Sequence, residues 1–119
     1  METVFNYGKD TLTISKSIDL ASGKIKGVLC NEVKANISRS HNHVQEIVNR
    51  NKTVYGINTG FGILANKKIS EEDTNTLQHK ILQSHSVGVG NPIPAEVAKL
   101  MMITKVHSLA RGFSGVQLE

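Results

Sequence analysis

From Ser86 to Pro94 the sequence reads SVGVGNPIP, with two glycines and two prolines in one short run. No helix continues through such a segment, because proline lacks the N–H that a helix needs and glycine weakens the turn around it. A second break, VYGINTGFG, holds Gly56, Gly60 and Gly62 between Val54 and Gly62. The stretches between these breaks carry helical patterns. From Asn31 to Asn49 the apolar residues Val33, Ile37, Val44, Ile47 and Val48 recur at helical spacing, with polar residues opposite. Ser70-Glu71-Glu72-Asp73 resembles a capping box with acids in the first turn, which predicts a helix through Leu77, Ile81 and Leu82 to about His85. Pro94 suits a first helical position, so a third helix is expected from Ala95 to Arg111, with Val97, Leu100, Met101, Val106 and Leu109 apolar and Gly112 as its stop.

The N-terminal part is different. Residues 8–14, GKDTLTI, alternate and read as a short strand. Ser15 is a candidate cap for a brief helix over Lys16 to Ser22, stopped by Gly23, and Lys24 to Leu29 reads as a second strand. The expected fold class is therefore mainly α with a small N-terminal β element. At 119 residues the chain is the size of one domain and can bury a core, yet only 4% of it is aromatic and it has no Trp. That is thin for a core standing alone and suggests that partner surface is missing.

Charge and cysteine content exclude several function classes. The net charge is +4, but the 14 Lys and Arg are scattered among 10 acids without a basic run, so a nucleic-acid partner is not expected. The single Cys30 cannot form an internal disulfide and suits a reducing compartment. METVFNYGKD has no apolar signal region, and no apolar run approaches the roughly 20 residues of a membrane span. A cytoplasmic protein without membrane contact is expected.

Two constellations could carry chemistry. The loop order Gly-x3-Gly-x-Gly is neither a P-loop nor a dinucleotide fingerprint. Its simplest reading is a tight turn with Tyr55 at the edge; its sharper reading is a mobile lid that sets the Tyr55 hydroxyl over a substrate. A tyrosine base must lose a proton with an ordinary pKa of about 10, so positive charge or a helix N-terminus would have to lower it. The second constellation is Gln83-Ser84-His85-Ser86, with His85 at a helix end and Ser84 beside it. It reads either as a capping histidine or as one that binds a polar ligand. His41, His43, His79 and His107 lack metal-ligand spacing and read as solvated, so no metal is expected. Ala21-Ser22-Gly23 reads as a helix end stopped by glycine.

VYGINTGFG, then LQ-x5-SH-x2-GVG, then HSLARGFSGVQLE, in this order and spacing, resemble the N-terminal part of the aromatic amino acid ammonia-lyases, and among them the histidine-specific members. The resemblance runs from about GKDTLTI to the last residue. It implies the N-terminal part of the L-aspartase-like helical fold, in a homotetramer whose active sites draw on three subunits. It implies elimination of ammonia from an L-amino acid, for histidine giving trans-urocanate in histidine degradation. It implies Tyr55 as the catalytic base, His85 with Ser84 as substrate-binding, and Gly56, Asn58, Thr59, Gly60, Phe61 and Gly62 as the active-site loop. The family's cofactor is 4-methylideneimidazole-5-one (MIO), made from an Ala-Ser-Gly that lies beyond the GFSG segment. Residues 1–119 are thus expected to be an N-terminal part truncated before that tripeptide and inactive alone. Ala21-Ser22-Gly23 lies on the wrong side of Tyr55 and lacks the family's flanks. A polar Ser-His pair suits an imidazole substrate, so L-histidine is favoured. The alternatives are a tyrosine or phenylalanine ammonia-lyase or aminomutase of the same family, and a non-catalytic helical binding module.

Overall fold

The computed structural model describes residues 4–50, 53–59 and 69–118. In chain order the elements are β1 (Val4–Asn6), α1 (Ile14–Ala21), β2 (Lys26–Val28), α2 (Asn31–Asn49), α3 (Glu71–His85) and α4 (Ala95–Leu109). The fold is mainly α with a small N-terminal sheet, as the sequence leads one to expect. No helix among the described residues is long and apolar enough to cross a membrane. Residues 1–42 with 92–119 form one compact unit and residues 43–91 a second.

In the first unit β1 and β2 pair in parallel, with Phe5 opposite Gly27, and α1 is the crossover between them. The first strand is therefore residues 4–6 and not 8–14. Gly8 adopts φ +78, and Asp10 Oδ2 accepts the Asn6 N–H at 2.7 Å, so residues 8–10 fold back as a turn. Thr13, not Ser15, caps α1: it is extended, and its Oγ1 accepts the Lys16 N–H at 3.3 Å. The alternation of GKDTLTI is that of a turn followed by a cap.

The core of this unit is built from Phe5, Val33, Ile37, Ile103 and Ala110, with Tyr7, Leu29, Cys30 and Val116 packed against part of it. Tyr7 meets Phe5 edge-on at 5.4 Å between ring centroids. Two histidines that read as solvated are part of this packing. The His107 ring lies 5.7 Å from that of Phe5, and its Nδ1 accepts the Gly8 N–H at 3.2 Å. His41 Nδ1 donates to the Gly115 carbonyl at 3.1 Å, while Gly115 N–H donates to Ser40 Oγ at 3.1 Å. These two bonds tie the C-terminal segment to α2. α4 ends at Leu109, two residues before the expected Arg111. Ala110 caps it, and Gly112 at φ +75 turns the chain so closely past Asn36 that a Cβ would crowd that residue's backbone. Apolar residues surround α4, and Val97, Met101, Met102 and Val106 stay exposed while Ile103 is buried.

Candidate active site

The second unit contains every described residue of the two chemical constellations. After α2 the chain turns at Val54–Asn58, with Ile57 N–H donating to Val54 O at 3.1 Å. Gly56 takes φ +78, a conformation that costs other residues roughly 1–2 kcal/mol. Asn58 and Thr59 are 2% and 1% exposed. Asn58 Oδ1 accepts the Val54 N–H at 2.9 Å, Thr59 Oγ1 accepts the Gly56 N–H at 3.4 Å, and Asn58 O accepts the Ile69 N–H at 3.1 Å. The Asn-Thr pair is thus an internal anchor, with Asn58 Oδ1 and Thr59 Oγ1 both accepting from the turn they hold. Buried polar groups with partners fix one conformation, because losing a partner leaves a desolvated group unpaired. On this anchored turn Tyr55 is 63% exposed. Gly60, Phe61 and Gly62 lie outside the described residues.

α3 starts at the expected cap. Ser70 is extended, its Oγ accepts the Asp73 N–H at 3.1 Å, and it donates to Asp73 Oδ2 at 2.6 Å. The return contact thus joins the Ser70 hydroxyl to the Asp73 carboxylate. α3 stops where SVGVGNPIP begins: Ser86 N–H donates to Leu82 O at 2.9 Å, and Gly90 then takes φ +90. Ser84 and His85 sit exposed in the last turn. Ser84 Oγ lies 3.0 Å from Ile81 O and 2.9 Å from His85 Nδ1, and His85 Nδ1 lies 2.9 Å from Ile81 O. The structure brings Ser84 and His85 together and adds the Ile81 carbonyl, which the sequence reading missed. Its signal was the i−4 spacing from His85, which places that carbonyl on the same helix face, one turn back.

Ala21-Ser22-Gly23 forms the end of α1, as the sequence reading has it. Ser22 caps α1, with its N–H donating to Ile18 O at 2.9 Å and its Oγ to Asp19 O at 3.2 Å, and Gly23 at φ +77 ends the helix. A cleft of about 490 Å³ in the first unit runs past these residues to α4, lined by Tyr7, Leu20, Met102, Ile103 and Val106 among others. Lys99 at its edge donates to Ala21 O at 3.5 Å, and burial pushes the Tyr7 hydroxyl above its ordinary pKa. Among the described residues no group of three or more His, Cys, Asp or Glu is placed to hold a metal ion.

Comparison with known proteins agrees with the fold. The family described as "Aromatic amino acid lyase" matches residues 12–119, which include Tyr55, Ser84 and His85. A histidine ammonia-lyase of Shewanella woodyi is 46% identical over 109 residues, 92% of this chain and 21% of that protein. One of Vibrio cholerae is 49% identical over 83 residues, 70% of this chain and 16% of that protein. The chain therefore spans about a fifth of the length of the curated relatives it matches. Among solved structures, ergothionase from Treponema denticola superposes with a TM-score of 0.86 over 98% of this chain and 23% of that chain, at 20% identity. Tyrosine aminomutase from Streptomyces globisporus superposes with a TM-score of 0.84 at 25% identity, over 98% of this chain and 22% of that one. With its motifs, its helical order and this match over nearly its whole length, the chain belongs to the aromatic amino acid lyase family.

Proposed function

We propose that this chain is the N-terminal part of a histidine ammonia-lyase, which eliminates ammonia from L-histidine to give trans-urocanate. The observation that carries the reading is the match to histidine ammonia-lyases across 92% of the chain, in a stretch where Tyr55 stands exposed on an anchored turn. Tyr55 is assigned as the base that takes the substrate proton. Its ring is 63% exposed on a turn held by the Asn58 and Thr59 side chains, which supports the assignment. His85 is assigned to bind the substrate ring, with Ser84 beside it. Gly56 gives the turn the sharp bend that brings a tyrosine to its tip.

The electrophile of the family, 4-methylideneimidazole-5-one, makes the amine a better leaving group. In this reading it arises from an Ala-Ser-Gly downstream of Glu119 and not from residues 21–23. The 119 residues alone are then inactive. The exposed apolar faces of α1 and α4, including Ile14, Ile18, Met101 and Met102, suit burial in a cytoplasmic homotetramer of the full-length protein.

The test is to express the whole reading frame and follow the ultraviolet absorbance of the unsaturated product with L-histidine, L-tyrosine and L-phenylalanine. Turnover of L-histidine with the highest kcat/KM is expected. Preference for tyrosine or phenylalanine would move the protein elsewhere in the family, and no turnover of any of them would overturn the lyase reading.

A further inference from the structure

His85 Nδ1, Ser84 Oγ and Ile81 O close a triangle of contacts on the last turn of α3, at 2.9, 2.9 and 3.0 Å. A backbone carbonyl has lone pairs and no proton. Its contact with His85 Nδ1 is therefore a hydrogen bond only when Nδ1 carries the proton. The Ser84 hydroxyl donates its proton to the same carbonyl, which turns a lone pair of Oγ toward Nδ1. One arrangement satisfies all three contacts: Ser84 O–H to Ile81 O, and His85 Nδ1–H shared between Ile81 O and Ser84 Oγ. The opposite tautomer sets the Nδ1 lone pair against those of the carbonyl at 2.9 Å.

The geometry points to Ser84 as a positioning residue that holds neutral His85 in the Nδ1–H tautomer, so that Nε2 meets the substrate as a hydrogen-bond acceptor. This rests on the assignment of His85 as substrate-binding. The ligand class that follows is a side chain that donates a hydrogen bond, an imidazole N–H or a phenol O–H. A carboxylate would set lone pair against lone pair at Nε2, and a plain phenyl ring would leave Nε2 unpaired; sites built for such a bond discriminate strongly against the partner that lacks it. Ser84 then acts through His85 and not by touching the ligand.

Other rings in the same molecule calibrate the measurement. His107 Nδ1 accepts from Gly8 N–H, which requires the Nε2–H tautomer, whereas His41 Nδ1 donates to Gly115 O. Long-range proton–nitrogen NMR correlation of the histidine rings, at a pH well above the ordinary histidine pKa of about 6.5, reads each tautomer directly. His85 is expected to group with His41 and apart from His107. Ser84→Ala should shift the His85 tautomer ratio several-fold toward Nε2–H, and Ser84→Thr should restore it. A wild-type His85 that is mainly Nε2–H, or a ratio unchanged by Ser84→Ala, overturns the proposal. In the full-length protein Ser84→Ala should raise KM for the donor-bearing substrate about tenfold, one hydrogen bond's worth, with kcat little changed. A loss confined to kcat would also overturn it. Absence of all turnover would instead sink the lyase reading and leave the tautomer result standing, so the two failures are told apart.

Discussion

The unit of residues 1–42 and 92–119 is held by apolar contacts, whereas the turn at the centre of residues 43–91 is held by polar ones. In the first, Phe5, Val33, Ile37, Ile103 and Ala110 are buried, and glycines sit where another chain segment passes. In the second, the buried residues among those described are Asn58 and Thr59, and their side chains bond the backbone of their own turn. The difference separates two kinds of constraint. Apolar packing fixes where elements lie but tolerates small shifts. A short hydrogen-bonded turn fixes one side chain to within fractions of an ångström, which catalysis demands. The comparison predicts that substitutions in the first unit act on stability and those in the second on chemistry.

The strongest test is Tyr55→Phe in the full-length protein. It removes one hydroxyl from an exposed ring on an anchored turn. Turnover should fall by about a hundredfold to ten-thousandfold, the range for loss of a general base, while the melting temperature stays within error of wild type. Near-normal kcat would remove Tyr55 from the mechanism.

Next in size is Gly8→Ala. Gly8 combines φ +78 with a position where a Cβ would run into the Ala110 carbonyl. Left-handed strain of roughly 1–2 kcal/mol adds to overpacking of about 1–3 kcal/mol, so chemical denaturation should show a loss of several kcal/mol. A neutral result would mean that β1 and the end of α4 are not closely packed.

The same junction should weaken in acid. Burial first, and then the positive charge of Arg111, hold the His107 pKa below its ordinary 6.5, while Asp10 pulls it upward. Tyr7 and Phe5 face the ring from β1 and its turn, and Lys16 lies over Phe5. Because the folded state takes the proton less readily than the unfolded one, the contribution is full above pH 6.5 and is lost as pH falls through the lower folded value. Protonation of Nδ1 also ends its bond from Gly8 N–H. Melting temperature measured between about pH 7 and about pH 5 should decline less in His107→Gln, whose amide oxygen still accepts from Gly8. Equal declines in both proteins would show that His107 does not carry the effect.

Local signals were legible in the sequence, and distant ones were not. α2 runs from Asn31 to Asn49 as its apolar spacing indicates, and α3 begins at its Ser70 cap and ends at His85 before the glycines. Each of these depends on neighbours within a turn or two. The first strand was misplaced because a turn and a cap imitate alternation over a few residues. His107 and His41 read as solvated because their partners lie 99 and 74 residues away, a relation that no local pattern encodes. At the site, Tyr55, Ser84 and His85 stood out by residue type and motif. That Asn58 and Thr59 hold the turn depends on their burial and bonding, which composition does not show.

Gly56→Ala is the smallest and sharpest test, because it repeats Gly8→Ala in the other unit with one variable removed. Both glycines sit at φ +78, but among the described residues a Cβ on Gly56 meets nothing within 4 Å. Only backbone strain remains, so stability should fall by roughly 1–2 kcal/mol, clearly less than for Gly8→Ala. That strain falls on the residue after Tyr55, and the turn can relieve it by tilting the ring away. Turnover should therefore drop by more than the stability loss would explain, with KM nearly constant. A loss of stability matching Gly8→Ala would mean the turn is packed like the first unit. Full turnover with the expected stability loss would mean that Tyr55 does not need this turn to hold it.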